Sequence, residues 1–83
     1  MLFRSFIDIL RAIDGVSVAC MLREQPNEIR GSLRSNDGTD VAAVARLMNG
    51  GGHRAAAGLT LHGSMSDACE EVLGHIRSAL EGM

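Results

Sequence analysis

Residues 50–58 read GGGHRAAAG, from Gly50 to Gly58, and the reading of the whole chain turns on them. They contain four of the ten glycines and one of the three histidines. Glycine loses more backbone freedom on folding than any other residue, so three in succession are costly to order. A connection leaving a helix needs one glycine at its left-handed position, which leaves two unexplained. Bare backbone in series has one use: a ligand can approach it closely, and successive N–H groups can face an anion. Neither familiar phosphate motif fits. A P-loop requires Gly-x4-Gly-Lys-Ser/Thr, and no lysine stands in that pattern. Gly50, Gly52 and Ala55 match the spacing of a dinucleotide fingerprint, but that fingerprint follows a strand and opens a helix. Here the order is reversed.

The helix lies upstream, in DVAAVARLM at residues 40–48. Val41, Val44, Ala45 and Met48 follow the i, i+3, i+4, i+7 rule, and Asp40 complements the positive end of the helix. Downstream, Ala57, Leu59 and Leu61 alternate with Gly58, Thr60 and His62, which predicts a strand. A further helix starts at Ser64, where Ser64 and Asp67 make a capping pattern. Met65, Ala68, Cys69, Val72, Leu73, Ile76 and Leu80 form its apolar stripe.

Earlier in the chain, VSVACML and EIRGSLRS alternate in period two around the turn residues Gln25, Pro26 and Asn27. An antiparallel hairpin follows, with Arg30, Ser32 and Arg34 on one face of its second strand. Leu2, Phe3, Phe6, Ile7, Leu10 and Ile13 recur at three- and four-residue steps, predicting an amphipathic helix that Gly15 terminates. The expected fold is a small two-layer α+β domain in the order α-β-β-α-β-α, with helices packed on a short sheet. Residues 1–15 are its lead-in helix and residues 16–83 the domain proper.

Eighty-three residues make one domain, and 46% apolar composition supports one modest aliphatic core. A net charge of −2 argues against a module coating long duplexes, while leaving room for a local anion site. Cys20 and Cys69 match no disulfide framework or zinc spacing and read as reduced core residues of a cytoplasmic protein. Asp8, Arg11 and Asp14 interrupt the first segment, so it is no signal peptide or membrane span. No metal-ligand set is visible.

Three pieces line up in order: SLRS at residues 32–35, DVAAVA at residues 40–45, and GGGHRAAAG at residues 50–58. Together they resemble the DHH-associated domain that lies C-terminal to the catalytic domain of DHH-family phosphoesterases, notably the oligoribonuclease/pAp-phosphatase type. The resemblance covers roughly residues 16–80. It implies a nucleotide-binding domain that faces a two-manganese catalytic domain across a cleft. By the same resemblance, Ser32, Arg34 and Ser35 contact substrate phosphate. Gly50 opens the glycine motif, the N–H groups of Gly51 and Gly52 line the cleft, and His53 binds or stacks on the nucleotide. The implied partners are short single-stranded RNA or DNA ends or pAp-like nucleotides, a catalytic domain in the same parent chain, and a second copy of the parent protein. No Asp-His-His motif is present, so manganese and hydrolysis are expected from a part of the parent protein outside this chain, and this chain alone is not expected to be an enzyme. The competing expectation is a structural or oligomerisation module with no ligand.

Overall fold

The computed structural model describes residues 6–13, 15–36 and 38–82. Its elements are β1 (Phe6–Ile13), β2 (Val16–Glu24), β3 (Ile29–Ser35), α1 (Val41–Arg46), β4 (Gly51–His53), β5 (Ala56–Leu61) and α2 (Met65–Glu81). The strands form one five-stranded sheet in the order β1-β2-β3-β5-β4, with every neighbouring pair antiparallel. The α+β class expected from the sequence is the class observed.

The first element departs from expectation. Residues 6–13 form a strand, not a helix, while the expectation for residues 1–5 lies outside the described residues. FIDILRAI satisfies both periods, since Ile7, Ile9 and Ile13 also alternate. Three isoleucines favour a pleated surface. The deciding contact is non-local: β1 pairs with β2 from Phe6↔Arg23 to Ile13↔Val16. Only residues 14 and 15, Asp-Gly, separate the closing pair, and this dipeptide is a strong two-residue hairpin signal. Gly15, at φ +81°, therefore serves a strand turn instead of ending a helix. At this turn end of the hairpin, the Asn36 carboxamide accepts from the Ser17 N–H and donates to the Gly15 carbonyl.

Both helices cover the same face of the sheet. Ile9, Val18, Cys20, Leu22, Leu33, Leu59 and Leu61 meet Val41, Val44 and Ala45 of α1 and Ala68, Val72, Ile76 and Leu80 of α2 in a single core. Caps hold the helices at their starts. The Asp40 carboxylate accepts from the N–H groups of Ala42 and Ala43 at 3.0 and 3.2 Å, and Ser64 Oγ accepts from the Asp67 N–H at 3.0 Å. The opposite face of the sheet carries neither helix.

Burial pushes the Cys20 thiol from its usual 9.0 up to about 12, reinforced by Cys69 and Asp8 nearby. The unfolded chain therefore releases this proton at lower pH than the folded one, and the associated stability is lost as pH rises from 9 toward 12. Alkaline denaturation should accordingly show a stability decline in that window that Cys20→Ala flattens. Replacing Asp40 with Ala should cost about 0.5–2 kcal/mol in urea unfolding, through loss of the α1 cap.

Candidate functional site

Directly opposed residues of an antiparallel pair point to the same side of the sheet. The registers therefore sort the uncovered face into rows that cross the strands. One row runs Leu10, Ala19, Arg34, Ala56, His53. The next runs Asp8, Met21, Ser32, Gly58, Gly51, and a third runs Phe6, Arg23, Arg30, Thr60. Neighbouring rows on one face are about 7 Å apart, twice the rise per residue. Arg34 and His53 thus share a face and a row, separated only by Ala56. Strand spacing puts their backbones about 10 Å apart.

His53 is held there by the ends of its hairpin. Arg54 and Ala55 turn the chain, and their carbonyls accept from the N–H groups of Val41 and Ser35 at 2.8 and 3.1 Å. On the other side, Asn49 takes a left-handed φ of 61° and the Gly50 N–H donates to the Ala45 carbonyl at 2.8 Å, closing off α1. Gly51, Gly52 and His53 are themselves an edge strand, β4, where the sequence suggests only a connection.

The three glycines of the run do not share one duty. A Cβ at Gly50 would overlap the Gly58 carbonyl oxygen and stand 2.9 Å from Leu59 Cα. Gly52 sits at φ +150°, and its Cβ would lie 2.7 Å from both Ala56 O and Ala57 Cα. Both are required by packing. Gly51 is not, because nothing lies within 4 Å of where its Cβ would be. Gly58, beside it in the same row, would meet only Gly31 O at 3.7 Å, an ordinary contact. Gly51 and Gly58 leave a bare trough that ends at the Ser32 hydroxyl, with the Arg34–His53 row on one side and the Arg30–Thr60 row on the other.

Two expected site residues are placed differently. Ser35 falls on the helix-covered side of β3, opposite to Ser32 and Arg34, and its hydroxyl donates to the Thr39 carbonyl at 2.8 Å. It secures the loop entering α1. Gly50 has its N–H engaged by α1, so it has none to offer a ligand. Successive N–H groups of a paired strand point alternately into and away from the ladder, so only one of Gly51 and Gly52 turns its N–H outward.

The uncovered face is more basic than the chain. Its described residues include Arg23, Arg30 and Arg34 against Asp8 and, beside Arg30, Glu28, a net of +1 on a chain of net −2. Arg30 lies 3.3 Å from Glu28, which partly neutralises it, and Arg23 reaches the Gln25 amide oxygen at 3.0 Å once that amide is oriented to accept. Arg34 makes no hydrogen bond or ion pair with the described residues. A polar hollow of about 330 Å³ lies on this face, walled by Arg23, Arg30, Ser32, Asn49, Gly58 and Thr60. The place of Arg23 opposite Arg30 is visible only once the β2–β3 register is known. No group of three or more His, Cys, Asp or Glu side chains among the described residues could hold a metal ion, and no described helix is long and apolar enough to cross a membrane.

A five-stranded sheet with two helices on one face and a basic, glycine-bared opposite face defines a small α+β domain with one sheet face left open. The DHHA1 domain family model matches residues 3–82, and the chain belongs to that family. It is also 36% identical over 76 residues to the bifunctional oligoribonuclease and PAP phosphatase NrnA of Thermus thermophilus. That match takes in 90% of this chain and 24% of the relative, so the chain spans about a quarter of that protein's length.

The division of labour among the glycines is open to direct measurement. Gly52→Ala should destabilise the domain by about 1–3 kcal/mol, the cost of holding a side chain in a glycine-only conformation. Gly51→Ala should leave stability unchanged or raise it by up to about 1 kcal/mol, because it restrains the unfolded chain without meeting any neighbour. Thermal unfolding of the two variants separates these outcomes.

Proposed function

We propose that this chain is the nucleotide-binding domain of a DHH-family phosphoesterase, and that it seats the phosphate end of a short oligonucleotide or pAp-like molecule on its uncovered sheet face. One observation carries the reading: Arg34, which has no partner among the described residues, and His53 share a row beside the bare trough of Gly51 and Gly58. Membership of the DHHA1 family and similarity to an oligoribonuclease and PAP phosphatase support it.

The chemistry follows from the geometry. A phosphate in the trough approaches the backbone more closely than any Cβ would allow. There it accepts from the Ser32 hydroxyl, while the Arg34 guanidinium offers two parallel donors. His53 closes the far side of the row, as a donor to phosphate or as a flat surface under a base. Charge-assisted hydrogen bonds contribute about 1.5–3 kcal/mol each. Two or three of them, less the cost of fixing the ligand, give millimolar to micromolar affinity.

Bond cleavage belongs to a catalytic domain elsewhere in the parent protein, which would hold the manganese. The described residues of this chain do not fit a metal, and nothing in the binding proposed here passes through one. The second wall supplied by that domain would raise the affinity.

Titration with pAp or a dinucleotide, followed by amide NMR, should shift Ser32, Arg34, Gly51 and His53 first. Arg34→Ala should abolish those shifts and change stability by less than about 0.5 kcal/mol, as expected of an exposed residue. Signals that stay in place at millimolar ligand would refute the proposal.

A further inference from the structure

A second hollow of about 330 Å³ opens on the same face, beside the phosphate seat and toward β1. Leu10, Ala19 and Met21 line it, Ser32 and Arg34 stand along its β3 side, and Asp8 stands on its β1 side. Its volume is at the lower end of the range for small-ligand pockets. Leu10 and Met21 are 64% and 47% exposed, which is a large apolar area to leave in water on a domain this small. Asp8 lies on β1 and Arg34 on β3, two strands across and one row along. Their Cα atoms are therefore about 12 Å apart across an apolar floor.

We infer that this hollow is a nucleobase subsite, in which the base of the nucleotide whose phosphate Arg34 holds lies on Leu10 and Met21 and donates an exocyclic amino hydrogen to Asp8. The inference rests on the phosphate seat proposed above and adds a base preference to it. Charge order selects the occupant. A guanidinium at one end, an apolar floor and a carboxylate at the other match a molecule that is anionic, then flat and apolar, then a hydrogen-bond donor. A nucleotide with an amino-bearing base has that sequence of groups. Uracil and thymine present a carbonyl oxygen where adenine and cytosine present an amino group, which a carboxylate disfavours, leaving only their imide N3–H as a donor. Asp8 is also the one carboxylate among the described residues lining this hollow, Glu28 being engaged by Arg30, and the phosphate seat has no use for it.

Binding of AMP, CMP, UMP and ribose 5-phosphate to the chain, read by amide NMR, tests this. Ribose 5-phosphate should shift Ser32, Arg34 and Gly51 and leave β1 and the middle of β2 unmoved. AMP and CMP should shift Asp8, Ala19 and Met21 as well, and should bind about fivefold or more tighter than UMP, as expected for one amino–carboxylate contact at an exposed site. Asp8→Ala should bring AMP and CMP down to the affinity of UMP while ribose 5-phosphate binds as before or more tightly. Identical shifts from base-bearing and base-free ligands would overturn the inference, as would an AMP-to-UMP ratio that Asp8→Ala leaves unchanged. In either case an intact ribose 5-phosphate response would preserve the phosphate seat. Loss of that response in the unmodified chain would instead remove the seat itself.

Discussion

The backbone carbonyls of Arg54 and Ala55 accept N–H groups from the start of α1 and the end of β3, and the Gly50 N–H returns to a carbonyl of α1. Two of these hydrogen bonds join the β4–β5 hairpin to α1, one at its turn and one at the start of β4, and the third ties its turn to the end of β3. The two bonds to α1 connect segments that the sheet ladder alone would not, and so they help determine where a three-residue edge strand sits. Glycine at positions 50 and 52 is the steric condition for this attachment, because a Cβ at either would run into β5. With β4 docked, His53 comes onto the face and row of Arg34, and Gly51 lies open in the row that contains Ser32. Without it the face would end at β5.

Electrostatics act on the same arrangement. An acidic chain places most of its carboxylates away from the uncovered face and leaves three arginines there. Two of them have a neighbour to engage, Glu28 or the Gln25 amide. Arg34 has none among the described residues, so an incoming anion displaces no existing partner there and gains the guanidinium's full directional capacity. A face of this size with few cations suits the end of a short nucleotide chain better than a long one, whose binding needs many neutralised phosphates.

The two sides of β3 show how closely spaced residues come to serve different ends. Ser32 and Arg34 face outward, while Ser35, one residue further, turns toward the helices and ties down the loop that leads into α1. A motif read as a string treats the three alike. The pleat separates them, because successive side chains of a strand leave on opposite faces.

Much of this was legible in the chain itself. Period two marks β2, β3 and β5, the 3.6 period marks α1 and α2, Asp40 and Ser64 announce the two helix starts, and GGGH behind SLRS points to the family. These signals are local, arising from one segment meeting one kind of surface. The identity of β1, the strand character of β4, the sidedness of Ser35 and the separate duties of the three glycines were decided by the tertiary structure. FIDILRAI fits a helix and a strand equally well until β2 offers it a ladder, and a glycine's role depends on which backbone passes beside it. Contacts between residues distant in sequence supply that information, and no local period encodes it.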